Sequence, residues 1–301
     1  MKQVKKINKR DSTAIKDSLI AYFFIAPAML WIFGIFSYSV LYNLVTSLFL
    51  VGLGGVGRFV GFESYIRLFR SSEFWTIVGN TGIWLIVITI SQQFIALTSA
   101  LLLSQNIRGR AIYRTILLLP WVIPGVVAGI LWRYMFDARF GVINDILMRL
   151  GLIDNIVPWL AQPSTSLFAV IVAYVWKVFP FSMILLLGSI QGIPEDVYEA
   201  AEIEGAGSFQ KFFYVTIPMI KTSLIATTIF TIITAFNSYD LAFIMTGGGP
   251  VNSSMILGLY VYNLGFTRFD FGGAAAAGTL MFLTSLFLIF VYVLSQNRKE
   301  E

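Results

Sequence analysis

Residues 76–104 read TIVGNTGIWLIVITISQQFIALTSALLLS, a run without one charged side chain. A helix needs about 20 mostly apolar residues to cross a bilayer core about 30 Å thick, and this run is long enough. Working outward, similar runs lie at roughly 19–47, 114–136, 166–190, 222–246 and 273–295, and most charges collect in the short segments between them. Of 301 residues, 57% are hydrophobic and 12% charged, against about 45–50% and about 25% in soluble domains. Backbone polar groups cannot go unpaired in hydrocarbon, so runs of this length should be helices, and the period-2 alternation of a membrane barrel is absent. The expectation is an all-α integral membrane protein with six transmembrane helices, one domain at 18–301 after a basic tail at 1–17.

Lysine and arginine in short loops set which way such helices face. Lys2, Lys5, Lys6, Lys9, Arg10, Lys16, Arg108, Arg110, Arg114, Lys211, Lys221, Arg298 and Lys299 make 13 on one side. Arg58, Arg67, Arg70, Arg133, Arg139, Arg149 and Arg268 make seven on the other. Both termini are therefore expected in the cytoplasm, and the net charge of +5 reflects this bias rather than nucleic-acid binding. The first apolar run continues from Leu19 beyond Val45, past the roughly 7–15 apolar residues of a secretory signal, and should stay as an anchor. Cysteine and histidine are absent, which removes disulfides, thiolate metal sites and the commonest general base. No G-x-x-x-x-G-K-[ST] loop occurs to cradle ATP phosphates; Gly247-Gly248-Gly249-Pro250 lacks the lysine and reads as a tight outer turn. Residues 51–57 read as a flexible outer turn, and 62–72 and 141–152 as amphipathic pieces at the outer interface. The small residues at 272–278 suit close helix packing.

The longest cytoplasmic segment is 191–221, QGIPEDVYEAAEIEGAGSFQKFFYVTIPMIK. Pro194 suits a first helical turn, with Glu195 and Asp196 at the positive end of the helix. Val197, Tyr198, Ala200, Ala201 and Ile203 are mixed with Glu199, Glu202 and Glu204 in a short helix that Gly205 and Gly207 break. A second helix should start at Ser208 as N-cap and run through Phe209, Phe212 and Phe213 to Pro218. Such a unit either lays a face in a groove on another protein or anchors at the headgroups through its phenylalanines.

Glu199-Ala200-Ala201, Gly205 six residues after Glu199, and Val215-Thr216-Ile217-Pro218 resemble the EAA loop of ABC importer permeases. The departures from that pattern are Val215 for isoleucine and Ile217 for leucine. RGRAIYRTILLLPWVIPGVVAGILWRYMF at 108–136, GVIN at 141–144, WKVFPFSMILLLGSIQGIP at 176–194 and FNSYDLAFIMTGGGP at 236–250 are similar to carbohydrate permeases of the maltose-transporter class, on the side of its F component. The resemblance implies a type I ABC importer permease in a bacterial cytoplasmic (inner) membrane, surrounded by membrane lipid. It implies a second homologous permease, a homodimer of ABC ATPase, an extracytoplasmic sugar-binding protein and a carbohydrate substrate. No cofactor is implied in this chain, since ATP and Mg would sit on the ATPase subunits. Coupling to the ATPase would fall on Glu199, Ala200, Ala201, Gly205, Phe209 and Pro218.

Polar groups inside apolar runs are costly and usually face a cavity. Asn237 and Asp240 are three apart and are expected on one helix face, beside Ser238 and Tyr239. Tyr174, Trp176, Lys177 and Phe181 lie mid-run, and Tyr260, Tyr262 and Asn263 follow the fifth run. Amide, carboxylate and tyrosine groups suit sugar hydroxyls, and aromatic faces suit the sugar ring. The resemblance places Asn237 and Asp240 at two substrate-binding asparagines of the maltose permease, and Tyr174 and Phe181 near its other contacts. Substrate binding is therefore expected at Tyr174, Phe181, Asn237 and Asp240. Asp240 departs from the pattern, and either binds a hydroxyl or pairs with Lys177; Trp176 reads as packing, and Lys177 as a structural ion pair or a snorkelling side chain. The alternative is an ion-coupled secondary transporter of a polar solute, which predicts intramembrane carboxylates and inverted repeats. Asp240 is the one acid well inside a run, and no repeat is visible. An embedded enzyme would lack a catalytic set, so a transport subunit is expected.

Overall fold

The computed structural model describes residues 4–297. In chain order, α1 (Val4–Thr46) leads through the strands β1 (Phe49–Gly52) and β2 (Gly55–Phe59) to α2 (Glu63–Arg70) and α3 (Ser72–Ser104). Next come α4 (Arg110–Val122), α5 (Gly125–Met135), α6 (Val142–Arg149) and α7 (Pro163–Gln191). α8 (Glu195–Ile203) and α9 (Ser208–Lys211) precede a π-helical stretch, Phe212–Thr216, that runs into α10 (Ile217–Met219) and α11 (Lys221–Phe236). The chain continues through α12 (Asp240–Thr246), α13 (Leu257–Tyr262), a second π-helical stretch Asn263–Thr267, and α14 (Phe271–Asn297).

Four helices among the described residues are each long and apolar enough to cross a membrane: Tyr22–Thr46 of α1, α3, α7 and Phe271–Phe290 of α14. Two bent pairs raise the number to six if each is one span, α4 with α5 at 99° and Ser208–Met219 with α11 at 69°. The run at 114–136 is thus not one straight helix. A proline disfavours the α conformation in the residue before it, and Ile123, preceding Pro124, is extended at φ −68°, ψ 128°. The run at 222–246 also breaks, because α11 ends at Phe236 and a new helix starts at Asp240, so Asn237 and Asp240 do not share a helix face. The chain is mostly helical, but the all-α expectation missed the hairpin. Residues 51–57 are paired rather than loose, with Val51 opposite Val56 and Gly52 opposite Gly55, and Phe49 packs on Phe59 with ring centroids 5.4 Å apart. Cross-strand aromatic contact and ladder bonds order the turn. α2 and α6 occupy the two short amphipathic segments.

α3 and α7 make the central helix pair. Lipid tails are as apolar as leucine, so close packing and interhelical hydrogen bonds hold helices together in a membrane. Trp84, 1% exposed, lies on Tyr174 with centroids 4.9 Å apart, and its Nε1 donates to the Ala235 carbonyl at 3.0 Å. That carbonyl is in the last turn of α11, beyond the regular helical ladder; it also accepts from the Ser238 amide at 3.3 Å, and the indole adds a second donor that helps make the break tolerable at this depth. Further along the pair, Gln92 donates to Ser182 at 2.9 Å, and Gln93 donates to the Leu224 carbonyl at 3.0 Å and to Thr227 at 2.9 Å. Ala275, Ala276 and Ala277 of α14 are buried, and Asn43 of α1 donates to the Ala275 carbonyl at 3.2 Å and to Thr279 at 3.0 Å.

Candidate functional site

The segment between α7 and α11 hangs off the bundle as two short helices with a glycine turn. Pro194 and Gly207, rather than residues inside the helices, take the N-cap positions of α8 and α9; Ser208, expected as a cap, is the first residue of α9. Gly205 takes φ +84°, the left-handed conformation that ends many helices. The Gly205 and Ala206 amides donate back to the Glu202 and Ala201 carbonyls, each at 2.9 Å. No residue of α8 or α9 is buried. Glu199 and Ala200 face solvent, Ala201 is half-covered, Ile203 is 88% exposed and Phe209 76% exposed. Pro218 lies exposed in α10, where the chain turns into α11. Lys211 and Glu202 form an ion pair across the turn.

The second locality is the break at Asn237-Ser238-Tyr239. Asn237 is exposed at the end of α11 and donates to the Ile233 carbonyl at 2.8 Å. A crevice of about 990 Å³ opens here between α1, the hairpin, α13 and α14, and Asn43, Asn237, Tyr239, Tyr262 and Phe266 line it. Tyr239 stacks on Tyr262 at 5.2 Å and Tyr262 on Phe266 at 5.0 Å, so the crevice has an aromatic wall beside its amides. Tyr260 is buried instead, and Arg268 lies 5.7 Å over its ring; Asn263 accepts from Arg268 at 2.8 Å.

Asp240 faces another way. Its carboxylate accepts from Ser238 at 3.2 Å and lies against Gly125, where a Cβ would overlap it. The Lys177 side chain approaches the same glycine, yet Lys177 and Asp240 do not close to ion-pair distance. Of the two readings of Asp240, pairing with Lys177 is thus a neighbourhood across Gly125 rather than a closed salt bridge. Tyr174 is buried against Trp84, and Phe181 stacks between Phe230 at 4.4 Å and Trp121 at 5.7 Å; neither lines the crevice. Trp176 packs edge-on against Trp132 at 5.5 Å, as a packing residue should. The four side chains expected to bind substrate thus divide between a crevice (Asn237), the buried core (Tyr174), a half-buried aromatic cluster (Phe181) and a polar seam (Asp240). Tyr239, Tyr262 and Gly125 gain their places only through chain segments remote in sequence.

Residues 93–300 match the family described as binding-protein-dependent transport system inner membrane component. The chain is 33% identical over 279 residues to the sulfoquinovosyl glycerol transport system permease protein SmoG of Agrobacterium fabrum, covering 92% of this chain and 90% of that one. It is 36% identical over 238 residues to the trehalose/maltose transport system permease protein MalF of Thermococcus litoralis, covering 78% and 79%. It is 33% identical over 300 residues to the lactose transport system permease protein LacF of Rhizobium radiobacter, covering 96% and 100%. The fold is also that of a chain in the crystal structure of a bacterial alginate ABC transporter in complex with its alginate pentasaccharide-bound periplasmic protein, with a TM-score of 0.80 at 23% identity, covering 93% of this chain and 94% of that one.

Proposed function

Because the chain belongs to the binding-protein-dependent transport system inner membrane components, we propose that it is the membrane-spanning permease subunit of an ATP-driven importer whose cargo is a carbohydrate. The cargo class follows the relatives, whose names specify sulfoquinovosyl glycerol, trehalose or maltose, and lactose. The observation that carries the coupling reading is the α8–Gly205–α9 projection, a helical hairpin with no buried residue hung between two apolar segments. Small and acidic side chains on such a surface suit a groove on a partner protein. In this reading Glu199, Ala200, Ala201, Gly205, Phe209 and Pro218 dock on an ABC ATPase dimer. ATP and Mg belong to those subunits, and closure of the ATPase dimer biases the permease between inward- and outward-open states.

Six spans, counting each bent pair once, with both termini in the cytoplasm of a bacterial inner membrane, suit this role. The excess of lysine and arginine on the segments that carry the termini and the hairpin supports that orientation. A second permease would complete the path, an extracytoplasmic sugar-binding protein would deliver the cargo, and lipid would surround the rest. Asn237 meets the sugar from the crevice beside Tyr239 and Tyr262. Asp240 reaches it only if the seam at Gly125 opens toward the path, and Tyr174 and Phe181, which do not line the crevice, act indirectly through the packing around them. Purifying the tagged chain from its host in mild detergent, with mass spectrometry of whatever accompanies it, tests the proposal. A second permease and an ATPase are expected; a homo-oligomer without ATPase would favour an ion-coupled carrier of a polar solute.

A further inference from the structure

The helical period sorts α8 into two faces. Asp196, Glu199, Ala200 and Ile203 recur at intervals of three, four and seven, share one face, and are all exposed. Tyr198 and Ala201, three apart on the other face, are the part-covered positions. Since α8 buries nothing of its own, its rotation must come from a few specific contacts. The Glu202–Lys211 ion pair is a weak one, with the glutamate side chain 62% exposed. The phenol of Tyr198 lies 3.0 Å from the hydroxyl oxygen of Thr216. Thr216 is 4% exposed and ends the π-helical stretch; its hydroxyl also donates, at 3.4 Å, to the carbonyl of Lys211 five residues earlier. The threonine proton being so directed, its oxygen is free to accept from the Tyr198 phenol.

We propose that Tyr198 and Thr216 form a positioning pair that sets the rotation of α8 about its axis, and so fixes which face the hairpin offers to an ATPase subunit. The proposal rests on the coupling role given above to this hairpin. A helix turns by about 100° per residue, so an untethered α8 presents Tyr198 and Ala201 as readily as Ala200 and Ile203. The π-helical stretch strengthens the assignment. Its i→i+5 bonding appears in the Ile217 amide donating to the Phe212 carbonyl, and π-helical turns are often found at functional sites. Thr216 therefore ties the free helix to the point where the chain enters α10 and α11, and a movement of α8 is passed to those helices instead of being lost as rotation.

The test uses the complete permease pair in lipid nanodiscs and titrates purified ATPase subunits onto it. Tyr198→Phe removes one side of that hydrogen bond, and Thr216→Val removes the other side together with the bond to the Lys211 carbonyl, both keeping shape. Each is expected to weaken association about threefold to tenfold. The double variant should be no worse than Thr216→Val alone, because the Tyr198–Thr216 bond is lost once, and Thr216→Ser, which keeps the hydroxyl, should bind as the natural chain does. Hydrogen exchange of α11 amides should be unchanged throughout, which separates lost positioning from unfolding. Unaltered association of Tyr198→Phe, additive losses in the double variant, a defect in Thr216→Ser, or faster α11 exchange in the variants would each overturn the proposal. If the natural chain binds no ATPase at all, the coupling role itself fails, and that outcome is distinct from failure of the positioning pair.

Discussion

Replacing Gly205 probes the hairpin proposed to couple to the ATPase, with little disturbance elsewhere. The residue holds φ +84°, and a Cβ built there meets no atom within 4 Å, so the whole penalty is conformational. For a residue with a Cβ, the left-handed conformation costs about 1–2 kcal/mol, which lowers the occupancy of the turn roughly 5- to 30-fold. Gly205→Ala should weaken ATPase association and slow sugar uptake by a factor in that range. Gly205→Asn should lose less, because asparagine visits this conformation readily, and Gly205→Val should lose most. Thermal melting of the extracted chain should not move, since α8 and α9 contribute nothing to the buried core. The assay is a titration of ATPase subunits onto the permease, paired with uptake in proteoliposomes. Wild-type behaviour of Gly205→Ala, or an asparagine variant as damaged as the valine one, would refute the reasoning.

Asn237→Ala should raise the sugar concentration needed for half-maximal uptake by roughly 5- to 30-fold, the effect of about 1–2 kcal/mol of lost hydrogen bonding, while basal ATP hydrolysis by the assembled complex persists; loss of assembly would mark the residue as structural. Trp84→Phe keeps an aromatic ring but strips the Ala235 carbonyl of its indole donor, and should destabilise the extracted chain by about 0.6–1.7 kcal/mol, read by thermal melting. Glu73 binds Arg268 through both oxygens and also accepts from Asn252 at 3.1 Å. Glu73→Gln should lower stability by about 1 kcal/mol at low ionic strength and by less at high salt, because the pair is partly exposed to solvent; equal loss at both salt concentrations would contradict an electrostatic origin. Gly125→Val should open the seam between α5 and α12, where a Cβ overlaps the Asp240 carboxylate, and should impair uptake more than Val126→Ala, a change at an exposed neighbour.

The amino-acid sequence by itself determined that the chain is built of long apolar helices, because that property depends on each segment and its solvent alone. Residues 76–104 lack charge whatever they touch, and α3 follows the run to its last residue. The hairpin at 191–221 was legible for the same reason: Pro194 before the first helix and Gly205 after it act locally, and both helices appear where those signals put them. Even the bend at Ile123–Pro124 carried a local mark, although the length of the apolar run concealed it.

Only the tertiary structure decided the break after Phe236, which no proline or glycine announces. It stands beside Trp84, whose indole reaches the Ala235 carbonyl from 151 residues away. That contact and its neighbours also took Tyr174 into the core, left Asn237 facing the crevice, and turned Asp240 toward Gly125. The pairing of Tyr198 with Thr216 is of the same kind, set by how α8 folds back over the π-helical stretch. A helix in lipid is specified by its own residues, but how well it tolerates an interruption also depends on which remote donors reach the carbonyls at the break, and those partners exist only once the bundle has formed.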